Sequence, residues 1–127
     1  MSKYMLIMHI SPKVMENLSE TDRNEIMSGH GAFQEKIKET GEFVSTHALG
    51  DPSNSAVVSV NDGVTSVKEG PLLDSELGVG GYYIVECESK ERAYEVAALI
   101  PDAKIDGLGV EVRPIVFSAG AVRDGSE

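Results

Sequence analysis

The run from Val79 to Glu88 constrains the fold more than any other stretch of this chain. Its side chains alternate Tyr82, Ile84 and Glu86 with Tyr83, Val85 and Cys87, and both sets carry apolar groups. A strand with apolar residues on both sides is covered on both sides, so this segment reads as a central strand. A layer of helices covers one face of a sheet. The other face then meets water or a partner, and the apolar side chains on it favour a second chain joined sheet to sheet.

The neighbouring segments fit an α+β arrangement. Residues 3–10 read as a first strand ended by Ser11-Pro12, with one helical turn between Pro12 and Leu18. Ser19 followed by Asp22 marks a helix start, and Gly41 marks its end. Within that helix Ile26, His30, Phe33 and Ile37 recur at intervals of four, three and four, which places them on one face. Glu42–Ala48 reads as a second strand. Ala56–Val60 and Val64–Val67 flank Asn61-Asp62-Gly63 as a hairpin, and Lys68–Gly78 as a loop. Ser89 caps a second main helix that Pro101 ends, and Val110–Phe117 is the last strand. The order β-α-β, hairpin, β-α-β predicts two helices on one face of an antiparallel sheet. Residues 1–117 form one domain, and 118–127 read as a flexible tail.

Composition excludes several classes of function. The net charge is −10, from 21 acidic and 11 basic residues, and no cluster of Lys and Arg offsets it. Such a field repels phosphate backbones, so nucleic acid is not an expected partner. No stretch approaches the ~20 apolar residues of a membrane span, and the N-terminal segment lacks signal-peptide features. One cysteine, Cys87, permits no intrachain disulfide and reads as a buried, inert thiol. A cytoplasmic location follows as the expectation.

The chain resembles the YCII-related family, in its DGPF branch. The resemblance rests on Lys3-Tyr4-Met5-Leu6, His30-Gly31-Ala32-Phe33, Glu69-Gly70-Pro71-Leu72, Tyr82-Tyr83-Ile84-Val85-Glu86, Ala97-Ala98-Leu99-Ile100-Pro101 and Val110-Glu111-Val112-Arg113-Pro114, in that order. It implies a ferredoxin-like α+β sandwich, two protomers forming a dimeric α+β barrel, and a small-molecule pocket served by a His–carboxylate pair. The branch signature departs here: Glu69 replaces an aspartate, with a longer arm, and Leu72 replaces a phenylalanine.

His30 is the leading catalytic candidate, because imidazole exchanges a proton near neutral pH and this one sits on an apolar stripe. The bland alternative is a core histidine with both nitrogens satisfied. Glu69 and Asp51 lie in Gly/Pro segments and are the carboxylates expected beside it, Glu69 as catalytic orienter and Asp51 as ligand contact or simple turn residue. Tyr82 and Arg113 are ligand-binding candidates. Arg113 could instead pair with Glu111 or Glu86. Gly78-Val79-Gly80-Gly81 precedes a strand, so it reads as close backbone packing at a bend and not as a nucleotide cradle. His9, His30 and His47 match no metal-ligand spacing, and neither metal nor cofactor is expected. Three readings stay open. One is an acid/base enzyme acting on a small organic molecule in a homodimer. Another is a non-catalytic ligand-binding or regulatory module, for example one associated with a sigma factor. The third is a structural dimer with no pocket chemistry.

Overall fold

The computed structural model describes residues 1–120. Of the expected 118–127 tail, residues 121–127 lie outside the described residues. The strands are β1 (Ser2–Ile10), β2 (Phe43–Ala48), β3 (Ala56–Asn61), β4 (Val64–Glu69), β5 (Gly78–Cys87) and β6 (Gly109–Pro114). The helices are α1 (Pro12–Glu16), α2 (Glu20–Glu39) and α3 (Lys90–Ala98), with short 3₁₀ turns at Pro52–Asn54 and Pro101–Lys104.

Local chemistry sets the boundaries. The Ser19 hydroxyl accepts from the Asp22 amide at 3.0 Å, and the Ser89 hydroxyl from the Arg92 amide at 3.1 Å, so each main helix begins on a serine cap. Gly41, at φ +81°, ends the chain's path out of α2 in the left-handed region that favours glycine. Asp62 and Gly63 both have positive φ, as a two-residue turn matched to strand twist requires.

Strands β2, β5, β1 and β6 form one antiparallel sheet in that order, with β5 central as its alternation demanded. Together with α2 and α3 this is the ferredoxin-like arrangement. Tyr4, Leu6, Met8, Tyr83, Val85 and Cys87 point toward the helices. They pack against Phe33 and Ile37 of α2 and Ala93, Val96 and Ala97 of α3. The hairpin β3–β4 is a separate two-stranded sheet.

Two boundaries differ from expectation. Strand β4 runs through Glu69, so this carboxylate ends a strand and the loop begins at Gly70. Strand β6 stops at Pro114 and not at Phe117. Proline has no N–H to donate to a ladder, and beyond it the Ile115 amide, 2.9 Å from the Lys3 carbonyl, makes the last pairing among the described residues. Gly78–Gly81 does not precede the central strand but forms its first residues, and Gly80 and Gly81 permit close approach there. A Cβ at Gly81 would lie 2.8 Å from the His47 carbonyl oxygen, and one at Gly80 would lie 2.7 Å from Ile10.

Candidate functional site

His30 lies midway along α2 on the stripe that faces the sheet. Its ring is the centre of a polar chain inside an apolar layer. Nε2 stands 2.8 Å from Asp102 Oδ1, and Nδ1 stands 2.8 Å from the Tyr83 hydroxyl. Gln34, one turn further along α2, donates from Nε2 to that hydroxyl at 3.2 Å. With the buried Asp102 carboxylate as acceptor, Nε2 is the donor of this pair. Nδ1 is then an acceptor, and the Tyr83 O–H donates to it while accepting from Gln34. Burial holds the Tyr83 phenol above its ordinary pKa, so it stays a neutral donor. Phe33 packs edge-on against the Tyr83 ring at 4.9 Å, which fixes the phenol in place.

The His30 side chain keeps 23% of its surface exposed, against 8% for Asp102, so the imidazole is the more accessible member of the His–carboxylate pair.

Asp102 comes to His30 because Gly29 has no side chain. A Cβ at Gly29 would lie 2.7 Å from the Pro101 ring, so glycine lets the 3₁₀ turn press against α2. Gly29 and Pro101 also line an open groove of about 880 Å³ between α1, α2 and the 3₁₀ turn. Its apolar floor includes Leu18, Ile26, Phe33 and Ile105, and Lys36, Lys104 and Asp106 stand on its margins. His30 and Asp102 are not themselves lining groups; they sit behind the Gly29–Pro101 wall.

The other sequence candidates lie elsewhere. The Asp51 carboxylate accepts from the Ser53 amide and hydroxyl, which cap the 3₁₀ turn and lower its pKa. Glu69 is exposed at the end of the hairpin. Tyr82 and Arg113 belong to the sheet face turned away from the helices. There Tyr82 tilts against His47 at 5.3 Å, and Arg113 pairs with Glu111 at 2.7 Å. Glu111 also takes a 2.7 Å hydrogen bond with His9, and these two neighbours hold its carboxyl below its ordinary pKa. Within the chain, then, the carboxylate hydrogen-bonded to His30 is Asp102; Asp51 bonds to Ser53 instead. Asp102 gave a faint signal, as the acid immediately after the Ile100-Pro101 helix stop. Its contact with His30 spans 72 positions, beyond any spacing rule. Among the described residues no three metal-ligating side chains converge, and no helix is long and apolar enough to cross a membrane.

The YCII-related domain model matches residues 2–118, nearly the whole chain. The chain belongs to the YCII-related family. An uncharacterised protein of Rhizobium meliloti (strain 1021) is 24% identical over 114 residues, covering 90% of this chain and 92% of its own length. As a YCII-related protein, this chain combines the ferredoxin-like protomer with a His–carboxylate pair on the helix side of the sheet.

Proposed function

We propose that this YCII-related protein is an acid/base catalyst for a small organic molecule, with His30 as the proton-transfer group. The carrying observation is the 2.8 Å pair between the partly exposed His30 ring and the buried Asp102 carboxylate. A carboxylate in that position fixes the tautomer and stabilises the imidazolium that forms on proton uptake. Tyr83 and Gln34 continue the hydrogen-bonded chain from Nδ1. The adjoining groove has the size of a small-molecule site.

The test uses Asp102→Asn, which keeps an acceptor beside Nε2 and removes the charge. A ligand is first identified by mass spectrometry of material released from the purified protein. Its conversion is then followed with both proteins. Turnover is expected to fall by about 10²–10⁴-fold, with the melting temperature nearly unchanged. Full turnover by the variant would sink the catalytic reading.

One observation favours a second reading. Both ring nitrogens of His30 are already hydrogen-bonded, as in a satisfied structural histidine. On that reading the protein binds its ligand without turnover, and ligand binding survives while no conversion is found.

The same proposal takes the working unit to be a homodimer. Met5, Ile7, Tyr82 and Ile84 share the sheet face opposite α2 and α3, and apolar side chains on such a face are what a second protomer covers.

A further inference from the structure

We infer that the β3–β4 hairpin is a dimerisation arm that lays its valine face on a second copy of this chain. The register sets Ala56, Val58 and Val60 opposite Glu69, Val67 and Thr65, so these six side chains share one face. The reverse face is mixed: it carries the Ser59–Ser66 hydroxyl pair at 3.1 Å, Lys68 and Asn61 beside Val57 and the exposed Val64. A hairpin that serves its own core turns its apolar face inward. Here Val58, Val60 and Val67 are 62%, 63% and 64% exposed. The one partly buried residue of the two strands, Val57, belongs to the reverse face. The valine face therefore points away from the protomer. A lone two-stranded hairpin is marginal in water, and this one is not hydrogen-bonded to the main sheet.

The area argument selects a second copy as the occupant. A stable interface takes roughly 800 Å² from each partner. The four strands are 6 to 10 residues long, and at about 3.3 Å per residue and about 4.8 Å between strands they outline only roughly 500 Å². The polar side chains of His9, Glu111 and Arg113 occupy one margin of that face. The open sheet face falls short alone, and the valine face of the same chain supplies the missing apolar surface. In a two-fold pair each patch is used twice. A different protein on the hairpin would leave the sheet face uncovered. A lipid surface with anionic headgroups is disfavoured by the net charge of −10. Glu69 ends the valine face, so the arm also carries this carboxylate onto the second copy.

The inference rests on the homodimer proposed above, and sedimentation velocity over a concentration series tests the two separately. The variant is Val58→Thr with Val67→Thr, which keeps the β-branched shape and adds hydroxyls at two side chains already exposed in the protomer. Wild type is expected at twice 13.6 kDa at micromolar concentration. The variant is expected to dissociate with a Kd raised about tenfold or more, and with unchanged far-ultraviolet circular dichroism. A dimeric wild type with an equally dimeric variant overturns the arm and leaves the homodimer. A monomeric wild type overturns both. A variant that has lost its secondary structure also overturns the arm, because the valines then serve folding and not assembly.

Discussion

His30 was legible in the sequence because a titratable ring on an otherwise apolar helical stripe has to be explained. Its partner was not, because Asp102 reaches it only through the packing of Pro101 on Gly29. That pairing changes what a substitution does. His30→Asn takes the hydrogen-bond donor away from a buried carboxylate and the acceptor away from the Tyr83 hydroxyl. A loss of about 1–3 kcal/mol is expected, read as a lower melting temperature, whether or not the ring is catalytic. Asp102→Asn separates the roles because it preserves the contact and removes only the charge. Cys87 offers a second check at this scale. Burial, followed by the neighbouring Glu42 charge, pushes its thiol up to about 11. A thiol-specific reagent at pH 8 is therefore expected to leave the native protein untouched and to react at once after denaturation. Rapid native labelling would show that the strand end carrying Cys87 opens.

Elements announced themselves where their chemistry is local. The serine caps, the Gly41 stop and the Asp62-Gly63 turn each act within four residues, and each is present. The end of β6 differs from the expectation because Val116 and Phe117 continue an apolar pattern after the pairing with β1 has ended at the Ile115–Lys3 bond. Contacts between elements leave weaker traces, and two glycines of α2 show the difference. A methyl group added at Gly31 would meet nothing within 4 Å, so Gly31→Ala is expected to stabilise by up to about 1 kcal/mol through helix propensity. Gly29→Ala has the same propensity gain but drives a methyl into the rigid Pro101 ring. A net loss of about 1–3 kcal/mol is expected, together with weakening of the His30–Asp102 bond. Denaturant unfolding of the two variants should move in opposite directions; parallel shifts would mean that the 3₁₀ turn gives way freely. The junction of α2 with α3 has a pH signature. Arg92 grips both oxygens of Glu42 at 2.8 and 2.9 Å and holds its carboxyl below the ordinary value near 4.5. A depressed carboxylate contributes stability above the unfolded pKa and loses it as pH falls through the folded one. Melting temperature should thus hold above pH 4.5 and drop below it, and Glu42→Gln should flatten that drop.

At the scale of the molecule, topology followed from the element order, because short antiparallel connections leave few arrangements that place β5 at the centre. The hairpin's direction did not follow. Alternation in Val58, Val60 and Val67 says that one face is apolar, but nothing in the pattern says whether that face turns toward its own core. The structure turns it outward, and this makes the hairpin separable from the fold. Its base is narrow: the Gly70 amide donates to the Ser55 carbonyl at 2.7 Å, so the chain enters and leaves the hairpin at adjacent points. A short Gly-Ser link across that gap costs little closure entropy. The core formed by Leu6, Ile37, Tyr83, Val85, Val96 and Ile100 contains no hairpin residue. Replacing residues 56–69 with such a link is therefore expected to leave a protomer that melts in one cooperative step, with the His30–Asp102 pair intact. It is also expected to abolish the proposed dimer, as the valine substitutions are expected to do more mildly. Calorimetry and sedimentation on the same preparation check both halves. A broad, non-cooperative transition would mean that the hairpin supports the protomer itself, and its outward valine face would then need another explanation.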